Sequence, residues 1–507
     1  MTVGSIGGTY GLSGSGMDID AIVKKLMTSQ QAKADALLQK KTVAQWQKDA
    51  YNTVYDDISN FRNSVFNYKL QATLSPNKVS SSSTSVVTAT AGAGAADVNH
   101  SLVVTQLAGG VNLTSNPLAS STLGTLATQV YSNSGVPASI NFTITNGTLT
   151  KPISIDPNNA TINDIVSAIN NAGVNVKATY DNTLNRFFLS TTNSGSSAKI
   201  DITNTNADTS GTDFFNLLGL PLSSSGKDAK FNLDGVDLTE ASNAFTISDV
   251  TYNLTSVSTG GPPPTPTTIS VTNDVDTAVA SIQSLVDSYN KILAEVNGKV
   301  NETRYKDFPP LTDAQKAVMK DSDITAWEAK AKSGMLHNDP TLESLVNTMR
   351  NAFSSAVSGI TGTYNSASSI GITTGSDYTE GGKLYLDTNK LRTALNANPN
   401  VLNQLFGASG TDSQSQGIAG RLYDGIKTTT DQLVKTAGTK GTTQYDTQSS
   451  YAKRIADYTT QISDQADRFS TIQADYYTKY NAMEVALSKL NSQSSWLSSL
   501  LSSSTSG

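Results

Sequence analysis

Few residue types in this chain could carry out acid–base, nucleophilic or metal chemistry. The 507 residues contain two histidines, His100 and His337, and no cysteine. Without cysteine there is no thiol nucleophile, disulfide framework or thiolate-bound metal. Because the two histidines are far apart in the sequence, they cannot form an HExxH zinc site. We therefore expect both to be exposed polar residues, with no catalytic residue and no metal ligand in the chain.

Two acidic pairs and one glycine-rich segment are the other candidates for chemistry. Asp56 and Asp57 are adjacent on a predicted helix, so their side chains point to different sides. Asp321 and Asp323 lie where helix caps commonly place aspartate. The segment GLSGSG, residues 11–16, superficially resembles a phosphate-binding loop but has no preceding strand and no following Lys-Ser/Thr. We therefore expect a protein that is not an enzyme and needs no cofactor.

Length and charge limit the remaining classes of function. A chain of 507 residues should hold three or four domains. A net charge of −6 argues against a nucleic-acid-binding surface, and no run approaches the roughly 18 apolar residues of a membrane span. Residues 1–17 lack the basic and apolar regions of a secretory signal peptide. The protein therefore either stays inside the cell or leaves by a route that reads a flexible N-terminus.

Apolar residues near the C-terminus recur at intervals of seven. Such a repeat predicts one helix over 451–501, about 75 Å long at 1.5 Å per residue, with an apolar seam that faces another helix. The residues of this seam are Ile455, Ile462, Phe469, Tyr476, Met483, Leu490 and Leu497.

The same period returns near the N-terminus, interrupted at Gln30. Ser15 and Asp18 have the spacing of a capping box and predict the start of this helix. We expect the two terminal helices to pair with each other; two unrelated amphipathic helices in one globule are the alternative. The residues of the N-terminal seam are Val23, Leu37, Ala44, Tyr51, Ile58 and Val65.

The spacing along the C-terminal helix indicates a movable leg rather than a tight supercoil. The apolar companion of each seam residue shifts from three residues later to four residues later along the chain, which is expected of a nearly straight helix. Polar Gln30, Gln465 and Ser494 also weaken the seam.

The middle of the chain reads as β structure. Asn146-Gly147 predicts a hairpin, Thr161 with Asp164 predicts the cap of a short helix, and alternation over 174–180 predicts a strand. Together they form a ββαββ module. The segment GGPPPTP, residues 260–266, could be a domain linker, but we favour the tip of a hairpin because strand residues alternate on both sides of it.

Helical patterns return at Asp276. Capping signals occur at Thr312 with Gln315 and at Asp339-Pro340, a hairpin is predicted over 371–386, and one or two short helices over 389–405. The fold class is therefore α+β multidomain, with long terminal coiled-coil-like helices and a helical-bundle leg bearing nested, mostly antiparallel β head domains.

We divide the chain into four parts on these patterns. The terminal helices take 1–45 with 455–507, and the helical-bundle leg takes 46–78 with 274–454. A β head domain takes 79–108 with 230–273. An inserted outer β/α head domain takes 109–229.

Five stretches of the chain resemble one known family. Residues 11–23 (GLSGSGMDIDAIV) resemble the opening of the bacterial flagellar filament-capping family, the flagellar hook-associated protein 2 or FliD family. Residues 153–190 resemble its "hook IN" motif, residues 276–297 the segment that re-enters the leg, and residues 371–406 its C-terminal core. Residues 310–340 are most similar to cap proteins of Gram-positive lineages.

The resemblance implies a structural cap at the distal tip of the flagellar filament. Such a protein forms a ring-shaped homo-oligomer, retains exported flagellin and promotes its folding and polymerisation. It is extracellular and is exported through the flagellar type III apparatus without a cleaved signal peptide. Further partners would be the hook–filament junction protein and a cytoplasmic export chaperone at the C-terminal helix. The alternatives are another axial protein, either a junction protein or a flagellin, and a surface adhesin that uses the β head.

Overall fold

The computed structural model describes residues 18–375, 377, 380–439 and 446–504. For residues 502–504 it describes the backbone only. Its helices, in chain order, are α1 (Ile19–Asn67), α2 (Gln71–Leu74), α3 (Leu126–Gln129), α4 (Ile162–Asn170), α5 (Ser210–Leu217), α6 (Val275–Asn301), α7 (Asp313–Lys316), α8 (Asp321–Lys332), α9 (Pro340–Ser354), α10 (Thr388–Ala397), α11 (Val401–Phe406), α12 (Ile418–Ala437) and α13 (Ser450–Ser504).

The strands are short and all pair in an antiparallel manner. In chain order they are β1 (Asn77–Ser81), β2 (Val87–Ala91), β3 (Asn99–Gln106), β4 (Asn112–Thr114), β5 (Ile140–Asn146), β6 (Leu149–Ile155), β7 (Val176–Asp181), β8 (Arg186–Thr191), β9 (Lys199–Asn204), β10 (Ser223–Ser225), β11 (Ala229–Leu233), β12 (Val236–Glu240), β13 (Ala244–Ile247), β14 (Val250–Leu254), β15 (Thr267–Asn273), β16 (Ile372–Thr374) and β17 (Leu384–Leu386). The protein is thus an α+β multidomain protein.

The chain forms two compact units. The helical unit comprises the described residues of 1–74 and 278–507, and the β unit comprises 75–277. The finer division into four parts stays a prediction.

The helical unit is built on α1, which packs against α13 and α12, while α9 packs on α12. Tyr289 of α6 is fully buried at its centre. The ring of Tyr289 lies 6.5 Å from that of Phe61 and 5.2 Å from that of Phe353, in edge-to-face geometry. Such pairs add to the free energy gained by burying the rings.

The predicted caps in this unit are confirmed. Asp339 is the N-cap of α9, and its carboxylate accepts the backbone N–H groups of Thr341 and Leu342. Thr312 and Gln315 form a capping box at the start of α7. The predicted hairpin over 371–386 is β16 paired with β17, and the short helices predicted after it are α10 and α11.

Two sheets share the first core of the β unit. A five-stranded sheet has the order β1-β15-β3-β11-β12, and a three-stranded sheet has the order β13-β14-β2. The ring of Phe245 stacks on Phe231 at 4.5 Å and on Tyr252 at 5.5 Å. These aromatic side chains fill the space between the two sheets.

The prediction of a hairpin tip at residues 260–266 is wrong. The strands on either side, β14 and β15, belong to different sheets and do not pair with each other. After β14 the chain crosses between the sheets: Thr255 N–H donates to Val86 O, and Ser258 N–H donates to Val104 O. The prolines that follow have no N–H for a strand ladder, so the segment is a crossover within the β unit.

The second core of the β unit lies between the sheets β10-β9-β5-β6 and β4-β8-β7, with α3, α4 and α5. The predicted hairpin is confirmed, since Asn146 pairs with Leu149 across Gly147, whose φ is +61°. The predicted cap of α4 is confirmed as well. The Asp164 carboxylate accepts the Thr161 N–H at 2.7 Å, and this bond helps to hold the pKa of Asp164 below its usual value.

Among the described residues, no helix combines the length and the apolar character needed to cross a membrane. In the same part of the chain, no three histidine, cysteine, aspartate or glutamate side chains come together as a metal site would require.

Candidate functional site: the terminal helix pair

Helices α1 and α13 run antiparallel along each other. Three contacts set their register. The Tyr477 hydroxyl donates to Asp20 Oδ1 at 2.9 Å, the Gln465 side chain reaches Gln30, and the rings of Tyr51 and Tyr451 lie 5.6 Å apart. Residue numbers along α13 therefore decrease as residue numbers along α1 increase, which shows that the helices are antiparallel. The two terminal helices pair with each other, as expected.

The N-terminal seam faces two different partners. Val23, Ala44, Tyr51, Ile58 and Val65 are buried, and Leu37 is partly exposed. Because α13 begins at Ser450, opposite Tyr51, the last two seam residues lie beyond its end. That stretch of α1 packs on α12 instead.

The contact with α12 is made by polar and aromatic side chains as well. Arg62 Nη1 donates to Thr430 Oγ1 at 3.3 Å, and the ring of Phe66 lies 5.8 Å from that of Tyr423. The predicted seam is therefore one continuous apolar stripe on α1. In the fold this stripe forms two interfaces, one with α13 and one with α12.

The C-terminal seam divides into a packed half and an exposed half. Phe469 and Tyr476 pack on a small cluster formed by Ile19, Val23 and Met27, and Ile455 and Ile462 are likewise partly buried. Met483, Leu490 and Leu497 are 40, 59 and 54 % exposed. The structure therefore does not bring these three residues against α1.

The exposed half follows from the offset of the two helices. Helix α1 begins at Ile19, whose cluster includes Tyr480, whereas α13 continues to Ser504. The remaining stretch of α13 is about 36 Å long at 1.5 Å per residue. Its large apolar side chains include Val485 and Trp496, 58 and 63 % exposed.

Polar residues meet within the packed half. The amide of Gln465 donates to Oε1 of Gln30 at 3.2 Å, and both side chains are partly buried. A hydrogen-bonded polar pair within an apolar seam fixes the register of two helices at a cost in stability. The two polar interruptions of the seams, Gln30 on α1 and Gln465 on α13, are thus one interaction.

The start of α1 lies at Asp18. Its carboxylate accepts the backbone N–H of Ala21 at 2.9 Å, so Asp18 is itself the N-cap. The predicted capping box would place Ser15 at the N-cap and Asp18 in the first turn; Ser15 lies outside the described residues.

A buried polar network lies beside the start of α13. Lys48 Nζ is 3.1 Å from Asp446 Oδ2, and their side chains are only 4 and 9 % exposed. Burial alone would raise the pKa of Asp446, but hydrogen bonds from Ser449, Lys48 and Gln448 outweigh it and hold that pKa well below its usual range. The carboxylate therefore stays ionised and ties α1 to the segment that leads into α13.

Tyr51 makes a second buried polar contact close to the start of α13. Its hydroxyl donates to Asp339, the cap of α9. Burial, together with the hydrogen bond to Asp339, raises the pKa of Tyr51 above its usual value, so the hydroxyl remains a donor. Sequence reasoning placed Tyr51 in the seam but missed this role, because its partner is 288 residues away.

The two histidines have different surroundings. His337 is exposed, as expected. The expectation for His100 is wrong: its side chain is 16 % exposed, and its Nδ1 lies 2.7 Å from Asp234 Oδ2. An imidazole can satisfy its polar atoms while mostly buried when a carboxylate faces it.

Comparison with known proteins decides the family. The sequence-family model for the flagellar hook-associated protein 2 N-terminus matches residues 15–110. The family model for the flagellar hook-associated protein 2 C-terminus matches residues 226–492. The chain belongs to the flagellar hook-associated protein 2 family. This is the family that the five sequence stretches resemble, and its members are structural flagellar cap proteins rather than enzymes.

Relatives in this family align along nearly the whole chain. The flagellar hook-associated protein 2 of Halalkalibacterium halodurans is 27 % identical over 94 % of this chain and 97 % of its own length. That of Escherichia coli K12 is 25 % identical over 96 % of each chain.

A solved structure has the same fold. The D1-D2-D3 domains of the flagellar cap protein FliD from Escherichia coli superpose with a TM-score of 0.55 and 21 % identity, covering 81 % of this chain and 99 % of that one. At this level of identity the likeness concerns the fold.

Proposed function

We propose that the protein caps the distal tip of the bacterial flagellar filament, outside the cell. There it retains exported flagellin and promotes its folding and polymerisation, without chemical catalysis. The observation that carries this proposal is membership of the flagellar hook-associated protein 2 family, matched in both the helical unit and the β unit.

The proposed mechanism needs a stable ring of subunits whose terminal helices contact the filament only reversibly. The β units of neighbouring copies associate into a closed ring, while the terminal helices contact the end of the filament. A ring of identical subunits cannot match a helical lattice everywhere, so one position stays open for the next flagellin. The helices must then release and rebind at each addition, which favours elements of low stability. The hydrogen-bonded Gln30–Gln465 pair and the partial exposure of Phe469 and Tyr476 support a weakly held pair.

Export and handover involve the exposed half of α13. The chain leaves through the flagellar type III apparatus, and a cytoplasmic export chaperone covers apolar side chains such as Leu490, Trp496 and Leu497 before export. At the start of filament growth the cap also contacts the hook–filament junction protein.

The rival functions receive less support. A hook–filament junction protein or a flagellin shares terminal helices, but the family match favours the cap over both. A surface adhesin that uses the β unit draws no support from the family match, which names the flagellar hook-associated protein 2.

A genetic experiment tests the proposal. Deletion of the gene should give cells that lack filaments and shed monomeric flagellin into the medium, and the wild-type gene supplied in trans should restore filaments. Filaments of normal length on the deleted strain would overturn the proposal.

Electron microscopy gives a second test on the purified protein. The cap should form closed rings or stacked plates, whereas a flagellin would form filaments. Purified chains that polymerise into open filaments would assign the protein to the axial subunits instead.

A further inference from the structure

A groove of about 350 Å³ lies within the helical unit, between α1, residues 304–310 and the first turns of α13. Four cationic side chains line it: Lys40, Arg304, Lys306 and Arg454. No aspartate or glutamate is among its lining residues. The groove is thus a concentration of positive charge on a chain whose net charge is −6.

The walls of the groove are held in place by hydrogen bonds. Gln39 of α1 donates from Nε2 to Pro310 O at 2.8 Å, and Trp327 donates from Nε1 to Pro309 O, also at 2.8 Å. The ring of Phe308 lies 4.6 Å from that of Trp327. The segment that closes the groove is therefore anchored from both sides, so binding would need little reorganisation.

Three of the four cationic side chains that line the groove have no carboxylate partner among the described residues. Arg304 donates to the backbone oxygens of Ala331 and Ser333. Within the described part of the chain, Lys40, Lys306 and Arg454 form no ion pair, and all three are exposed. The guanidinium of Arg454 lies 5.0 Å from the centre of the Tyr451 ring, which leaves its charge without a carboxylate partner. Three cations without a carboxylate partner around one groove favour an anionic occupant.

The remainder of the chain does not supply that anion. Residues 1–17, 376, 378, 379, 440–445 and 505–507, which lie outside the described residues, contain no aspartate or glutamate. Of the neighbouring carboxylates, Asp307 and Asp457 do not line the groove. No aspartate or glutamate of the printed sequence therefore lies in the groove, which favours an occupant supplied by another molecule.

The apolar walls indicate which class of molecule. Val43, Phe308, Pro309 and Pro310 line the groove beside the cations. A small hydrated anion gains no binding free energy from apolar walls. A protein segment does, because a protein interface buries apolar side chains beside charge-assisted hydrogen bonds. We propose that this groove binds an acidic peptide segment of a partner protein, in which carboxylates flank an apolar side chain. The site does not depend on the capping function.

The test uses the full chain and a short fluorescent peptide of alternating glutamate and leucine, with a second peptide in which glutamine replaces glutamate. Fluorescence anisotropy should give saturable binding of the glutamate peptide only. Charge reversal in the groove, Lys40→Glu with Lys306→Glu, should weaken binding by about tenfold or more. The matched control Lys24→Glu with Lys25→Glu makes the same change of charge on exposed residues of α1 and should leave binding unchanged.

Competition separates the acidic peptide from other anions. A single-stranded DNA oligonucleotide and inorganic phosphate should displace the peptide poorly. The proposal would be overturned by tighter binding of the oligonucleotide, by full displacement with phosphate, by equal binding of the glutamine peptide, or by an equal loss in the control variant. Should the reversed variant lose helicity by circular dichroism, Lys40→Gln with Lys306→Gln replaces it, and unchanged binding there would overturn the proposal.

Discussion

Gln465 of α13 donates a hydrogen bond to Gln30 of α1 at 3.2 Å, within the contact between the two helices. We predict that Gln30→Leu with Gln465→Leu stabilises the helical unit by about 1–2 kcal/mol, because two leucines would bury apolar area where an amide pair now lies. Thermal unfolding followed by circular dichroism measures this change. The same variant should assemble filaments poorly, since the helices would release slowly.

The control for this prediction is Gln461→Leu, an exposed position on α13, which should change neither property. A double variant that unfolds at a lower temperature than the wild type would show that the amide pair is itself a main source of stability.

The buried ion pair of Lys48 and Asp446 should be far more sensitive to mutation than an exposed one. Lys48→Ala leaves the Asp446 carboxylate buried without its cation, which should cost about 3 kcal/mol of unfolding free energy. The matched control is Lys427→Ala, because Lys427 and Asp431 form an exposed pair four residues apart. Its cost should stay below about 0.5 kcal/mol. Equal costs in denaturant unfolding would contradict the prediction.

Asp446 also predicts a pH dependence. Its pKa in the folded protein lies below that of an unfolded aspartate, so the carboxylate contributes stability above the unfolded pKa of about 4, and the contribution is lost as the pH falls below it. The unfolding free energy of the wild type should therefore fall more steeply below about pH 4 than that of Asp446→Asn. Parallel curves for the two proteins would show that Asp446 contributes nothing to acid sensitivity.

Two glycines should respond to alanine in opposite directions. A Cβ on Gly211 of α5 would lie 2.3 Å from Asn141 O and 2.4 Å from Phe142 Cβ. Gly211→Ala should therefore destabilise the β unit by about 2 kcal/mol. Gly298→Ala in α6 meets no atom within 4 Å and should stabilise by about 0.5–1 kcal/mol through helix propensity. Limited proteolysis and thermal unfolding distinguish the two results.

Truncation separates the two halves of α13. A chain that ends at Tyr451 keeps the ring contact between Tyr51 and Tyr451 but loses the rest of the contact with α1, so it should lose stability in the helical unit and the ability to cap. A chain that ends at Tyr480 keeps Phe469 and Tyr476 on their cluster, so it should unfold like the full chain but still fail to cap. Normal filaments in cells that express only the shorter chain would contradict both expectations, and electron microscopy of the cells provides the measurement.

Local signals in the sequence were sufficient for most elements. The Asn146-Gly147 turn and the caps at Thr161, Thr312 and Asp339 depend on residues within a few positions of each other. The heptad repeats gave the two long helices for the same reason, because periodicity reports which face of a helix is apolar.

Contacts between distant residues could not be read in this way. Strand β14 pairs with β13 and β2 rather than with β15, the next strand along the chain, and alternation indicates a strand without identifying its neighbours. Lys48 and Asp446 are 398 residues apart. The offset of α13 against α1, which leaves Met483, Leu490 and Leu497 exposed, depends on where each helix starts and not on its repeat.

The first and last strands of the β unit, β1 and β15, are neighbours in one sheet. Asn77 pairs with Asn273, and Asp274 N–H donates to Pro76 O at 2.9 Å. The chain thus enters and leaves this unit at two adjacent points. Closely spaced ends are the condition under which a domain can be inserted into another protein or exchanged as a whole. Evolution can resize or resurface everything between the two strands without altering the length of either flanking helix. A laboratory can likewise display a foreign domain there, provided that its own ends are as close together.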